Sequence, residues 1–173
     1  MITVLDQGQP HSFSYDEMEK YHGPLAPGGI AMAYKIMRLA FPVFSADGPI
    51  QRLELKVETS FPGLGVKDSF EIVTRAVSRG CYDFDLSLGN SYEDYGVLRG
   101  FVFRLTYLDR SLTYILRSGI LRDEFIALVG KGKERRSPDE EIHFMWLKTQ
   151  LGATIMARHE SAVFELVADS ERK

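Results

Sequence analysis

The stretch Tyr21-His22-Gly23-Pro24-Leu25-Ala26-Pro27-Gly28-Gly29 sets one imidazole among turn formers, directly ahead of the apolar run 30–41. A helix starting there leaves backbone N–H groups unsatisfied and brings the positive end of its dipole near His22. Gly28 and Gly29 are therefore candidate ligand-binding positions, able to hold an anion or a carbonyl oxygen through main-chain donors. His22 has three readings. It pins the loop through a backbone carbonyl, it acts as a general base or ligand-orienting donor whose charge switches near neutrality, or it ligates a metal. Glu58, in a run of strand period beside loop 61–65, is either a solvated or salt-bridged carboxylate or the acid/base partner of His22. Asp68, a candidate ligand-binding residue, reads as an N-cap of the following helix rather than as a catalytic acid. Tyr95, like Tyr82 and Tyr92, flanks a central turn region and either packs or lines the pocket as a hydrogen-bond donor.

The other reactive residue types give weaker signals. Cys81, the single cysteine, excludes an intrachain disulfide framework and an all-cysteine zinc site, and reads as a small buried hydrophobe rather than a nucleophile. His11, His143 and His159 share no ligand-type spacing. His143 falls on an apolar helix face, and His159 in a last helical turn. Phe61-Pro62-Gly63-Leu64-Gly65 lacks the lysine and hydroxyl of a phosphate loop, so it reads as a turn or as a place of close backbone approach. The basic run 131–136 is followed by Asp139-Glu140-Glu141, which suits a solvated interhelical loop better than a phosphate patch.

These candidates must be positioned by one domain, since 173 residues suffice for one sizeable core. A net charge of −3 gives no reason to expect nucleic acid or an anionic membrane as partner. No run approaches the roughly 20 apolar residues of a membrane span. The N-terminus lacks a basic start followed by a long apolar core, so a cytoplasmic location is expected.

The pattern along the chain predicts an irregular arm over 1–12 and a capping box at Ser14 and Glu17 ahead of a short helix. It predicts a half-buried helix over 29–41 ended by Pro42, and a turn at Asp47-Gly48-Pro49. A strand over 50–58 follows, then a helix over 67–79 closed by Arg79-Gly80. Strand patterns cover 82–88, 97–108 and 113–116. Helices are expected over 119–130 and 138–158, the second opened by Ser137-Pro138 and Glu140, with a short extended or helical piece at 163–167. The fold class is α+β: a mixed or antiparallel sheet with an α-β-α-β-β(-β) core covered by helices, plus a C-terminal helical hairpin. The division expected is a core domain over 1–116 and a helical extension over 117–173, packed on the core or on a dimer partner.

The order of these motifs resembles the FmdE-like family of formylmethanofuran dehydrogenase components. That family's His-Gly-His-x-Cys-Pro-Gly stretch, running into a helix, is matched at 22–28. Its Glu-Thr strand end is matched at Glu58-Thr59, its helix-opening aspartate and later threonine at Asp68 and Thr74, and its Asp-Tyr-Gly segment at Asp94-Tyr95-Gly96. Its C-terminal helical pair and closing tail are similar to 119–167. The departures fall on the metal ligands. Pro24 stands for the second histidine, Ala26 for the cysteine, and Arg75-Ala76 for the Gly-Cys pair, while no cysteine occurs within 60–67. Only His22 remains, and proline and alanine offer no lone pair, so no family-type metal site is expected. The resemblance implies a homodimer with a pocket of changed contents at 22–29. Three functions follow: an enzyme using His22 and Glu58 on a small carbonyl compound, a metal-binding accessory protein of a molybdenum/tungsten redox system of that type, or a non-catalytic dimer that binds a partner. Homodimerisation is expected through the helical pair carrying Phe144, Met145, Trp146 and Leu151. No cofactor is named by the residues.

Overall fold

The computed structural model describes residues 1–45 and 48–171; Asp47 of the expected turn lies outside them. The chain opens with a hairpin, β1 (Ile2–Asp6) and β2 (Gln9–Phe13), in place of the expected irregular arm. Ile2 and Val4 alternate into the core, and Gln7 and Gly8 both take positive φ (51° and 80°). That is the two-residue turn whose twist matches a hairpin. The Ser14–Glu17 capping box starts α1 (Tyr15–His22) as expected.

Helix α2 (Pro27–Phe44) is the centre of the molecule. Its residues from Ile30 to Met37 are all buried, so it is enclosed on every side and not half-buried as its pattern suggests. Pro42 does not end it. Sitting in the last turn, the proline forfeits a single bond, to the carbonyl of Arg38, and two further residues stay helical. The first turn of α2 lies tight between two neighbours. A Cβ on Gly65 would sit 2.9 Å from the Ala26 oxygen, and one on Gly152 would sit 2.9 Å from the Pro27 carbonyl carbon. Glycine at both places lets three backbones meet.

The strand expected over 50–58 is shorter: a 3-10 turn at Arg52–Glu54 precedes β3 (Leu55–Thr59). Helix α3 (Leu64–Thr74) begins earlier and ends earlier than expected, with Gly63 as its N-cap and Arg75 in the left-handed region (φ 56°). Asp68 is therefore in its second turn and is not a cap. The end is sealed by side chains: Arg52 donates to the Ile72 and Val73 carbonyls, and Glu71 accepts from the amides of Val77 and Ser78.

Strand β4 (Tyr82–Phe84) stops where Asp85 accepts from the Ser87 amide, and 86–101 winds as 3-10 turns broken at Tyr92 and Gly96. Then come β5 (Val102–Tyr107), β6 (Arg110–Leu116), α4 (Asp123–Lys131), α5 (Pro138–Met156), α6 (Glu160–Val163) and β7 (Phe164–Glu171). Ser137 and Glu140 form the expected capping box of α5. His159 caps α6 and does not lie in a last turn.

The main sheet has five strands in the order β4-β3-β5-β6-β7, with β3 and β4 parallel and the other pairs antiparallel. This is an α+β fold. Strand parity sends Leu55, Val57, Phe103, Leu105, Leu112 and Tyr114 into the core shared with α2 and α3. The opposite face carries Val102 and Ile115, covered by Leu88 from the 3-10 segment. Segment 117–171 is woven into this architecture, since α5 packs along α2 and β7 pairs with β6.

Candidate functional site

The loop 22–29 borders a cavity of about 420 Å³. Its floor is the start of α2, with Gly28, Gly29 and Met32. Phe61, Gly63, Leu64, Phe101, Phe125, Lys148 and Leu151 complete the lining. Phe61 and Phe101 stack at 5.0 Å between ring centroids. Leu25 and Leu64 stand at the mouth, 65% and 64% exposed. The volume falls within the roughly 300–1,000 Å³ of small-molecule sites, and the apolar walls fit one.

His22 is the last residue of α1, and Gly23 (φ 89°) turns the chain away behind it, its amide bonded to the Glu19 carbonyl. Because α1 packs on α3, His22 meets Asp68, with Nδ1 2.7 Å from Oδ2. The imidazole side chain is 10% exposed and the carboxylate 39%. An ionised carboxylate only accepts, so Nδ1–H donates, and Nε2 is the nitrogen with a free lone pair. Among the described residues Nε2 has no protein partner. Tyr82 lies close by. Burial, with the Asp68 charge added, pushes its hydroxyl well above the usual tyrosine range.

The two helices that begin at the cavity are bare. Neither Ala26 nor Gly63 supplies a side-chain cap, and neither first turn carries an acid. By contrast α1 and α5 have serine capping boxes, and α4 opens with Asp123 and Glu124. Lys148 places its Nζ 5.1 Å from the Phe144 ring centroid, and among the described residues no carboxylate pairs with it.

His22, Gly28 and Gly29 thus line one cavity, and Asp68 braces it from behind. Glu58 does not join them. Strand alternation points Val57 and Thr59 into the core, so Glu58 faces the other side of the sheet, 3.6 Å from Lys56 and in register with Arg104. The carboxylate beside His22 is Asp68. Tyr95 is also remote from the cavity: its hydroxyl lies 3.4 Å from Glu165, and its ring packs edge-on to Tyr92. Cys81 is half-buried beside Arg79 and is not a lining residue. The basic run 131–136 is held by acids of the first turn of α5, Lys131 to Glu140 at 2.6 Å and Arg136 to Glu141 at 2.7 Å. Sequence reading misses Lys148 and the three phenylalanines. Lys148 has no local motif, and the phenylalanines lie on three separate segments.

The donor set does not fit the metal of the resembled family. His22 and Asp68 are two ligands, and among the described residues no group of three or more His, Cys, Asp or Glu is placed to hold an ion. Among the described residues no helix is long and apolar enough to cross a membrane. Comparison with protein-family models and with curated proteins gives no match.

Proposed function

We propose that the chain binds a small carbonyl compound in this cavity and catalyses proton transfer on it, with His22 as general base. The observation that carries the reading is the 2.7 Å bond from His22 Nδ1 to Asp68 at the wall of an apolar cavity. Asp68 holds the tautomer that leaves Nε2 basic, and it stabilises the imidazolium formed when Nε2 takes a proton. Amides of Gly28 and Gly29, at the positive end of α2, suit the oxygen on which negative charge develops. Among the described residues no serine, threonine or cysteine lines the cavity, so acyl transfer through a hydroxyl or thiol nucleophile has no group to carry it there. The likeness to the FmdE-like family enters this reading as a pocket position with altered contents. The metal-accessory role has no support from the donor set.

The test is exchange of solvent deuterium into carbon acids adjacent to a carbonyl, followed by proton NMR over a panel of small ketones, aldehydes and oxo acids. Active compounds are expected to lose exchange by about 10²-fold or more in His22→Ala and in Asp68→Asn. Both variants should melt as cooperatively as the parent. Unchanged exchange in folded His22→Ala refutes the reading.

We also propose a homodimer through the outer face of α4 and α5. Of the residues expected to form it, Phe144 and Leu151 are buried within the chain itself and Met145 is half-buried; Trp146 is exposed, and the other exposed large apolar residues of the two helices are Ile142 and Val129. Ile142 is 71% exposed and Trp146 46%, and Trp146 is flanked by His143 and Arg122.

A further inference from the structure

We infer that the ligand of the cavity is an apolar-bodied monocarboxylate, aryl or branched alkyl, with its carboxylate drawn to Lys148 and the bare helix starts. The inference rests on reading the cavity as a small-molecule site and adds the class of molecule. In a chain of net charge −3, the lining contains two basic side chains, His22 and Lys148, and among the described residues no acidic one. Asp68 neutralises a protonated His22 from outside the wall, whereas Lys148 has no such counter-charge among the described residues. Its ammonium lies over the Phe144 ring, just outside the lining, and a half-buried ammonium without a counter-charge gains from an anion that arrives with the ligand. The first turns of α2 and α3 converge on the same space with no side-chain cap and no acid. The His22 imidazole, nine-tenths buried, lines the same space, and once Nε2 has taken a proton its N–H is a donor to an acid group.

The rest of the lining sets the body of the molecule. Phe61, Phe101, Phe125 and Met32 offer flat and flexible apolar contact, and among the described residues no amide or hydroxyl side chain lines the space to read a sugar or a base edge. A single lysine and no arginine suits one negative charge better than a phosphate dianion.

The full chain, labelled at methionine methyls, tests this. Met32 lies in the wall and reports occupancy by its methyl shift. It is titrated with 3-phenylpropanoate and with the neutral 3-phenylpropan-1-ol, in the parent and in Lys148→Met. The parent is expected to bind the acid about ten-fold tighter than the alcohol, the strength of one charge-assisted contact. Lys148→Met should keep the alcohol's affinity and bring the two probes within about three-fold of each other. Equal binding of both probes by the parent overturns the carboxylate assignment and leaves the cavity reading intact. A preference that survives in Lys148→Met also overturns the assignment as stated. Failure of both probes to shift the Met32 methyl overturns the assignment together with the cavity reading.

Discussion

Replacing Glu160 by glutamine tests the packing logic of the molecule most directly. Lys35, in the middle of α2, is buried, as is Glu160; both side chains are 8% exposed. The Lys35 Nζ donates to the Arg158 carbonyl at 2.7 Å and lies 3.5 Å from Glu160 Oε1. Arg38 completes the cluster at 2.8 Å, with its side chain 44% exposed. Glutamine keeps the shape and a dipole but removes the charge, leaving a buried ammonium with one carbonyl. Breaking a buried pair costs about 3–5 kcal/mol when one partner is lost outright. The retained carbonyl and amide place this variant lower, at about 2–3 kcal/mol. For a chain of this length that is a fall in Tm of roughly 4–12 °C. Arg38→Gln, which removes the solvent-facing arm, should cost less than about 1 kcal/mol.

The same carboxyl fixes the pH dependence. Burial pushes the Glu160 carboxyl up, but its own backbone amide, Lys35, Arg38 and His159, 3.6 Å away, outweigh that and hold it below the usual 4.5. A carboxyl depressed in the folded state contributes its full stability above its unfolded pKa and loses it as pH falls through the folded value. The gap between parent and Glu160→Gln, measured by urea unfolding, should therefore be present at pH 7 and shrink below about pH 4.5. A variant within about 0.5 kcal/mol of the parent at pH 7 would refute the claim that this cluster ties α6 to α2.

Two further outcomes follow from the contacts around α2 and α5. Gly152→Ala drives a methyl into the Pro27 backbone and should cost about 1–3 kcal/mol, whereas Gly28→Ala meets only a side chain, Leu151, with Cδ2 at 3.1 Å and Cγ at 3.2 Å, and should cost less, about 1 kcal/mol; chemical denaturation of both variants checks the contrast. Sedimentation of the parent at micromolar concentration should give a dimer that Ile142→Glu converts to monomer, and a parent that is already monomeric rejects the proposed interface.

Local signals are legible in this chain and distant ones are not. Capping boxes at Ser14 and Ser137 mark helix starts because the bonds that make them lie within three residues. The opening hairpin escapes a pattern reading because Gln7-Gly8 is not among the commonest turn pairs, and the exposed Pro10, His11 and Ser12 of β2 carry no apolar alternation. Alternation at Leu86 and Leu88 imitates a strand, yet Asp85 bonds the Ser87 amide and starts 3-10 turns in its place. Pro42 reads as a stop because proline cannot donate, but in a final turn the lost bond is one that the helix end tolerates.

The candidate site divides along the same line. His22, Gly28 and Gly29 are close in sequence, and the loop that joins them is a property of that segment alone. The carboxylate beside His22 comes from 46 residues away, and the same stretch offers two. Glu58 is the natural choice from sequence, since it follows an alternating run, and parity decides against it. In β3 the buried positions are Leu55, Val57 and Thr59, so position 58 must face the other side of the sheet. Asp68 looks like a cap because aspartate favours caps. Once α3 begins at Leu64, Asp68 instead lies one turn further along, on a flank that α1 covers. The bare first turns of α2 and α3 then become informative. Helices elsewhere in this chain spend a serine or an acid on that position, and these two leave it open beside a cavity. Pro27 at the first position of α2 removes one orphan donor, and the remaining first-turn amides of the two helices, without a side-chain cap, are what the proposed carboxylate site draws on.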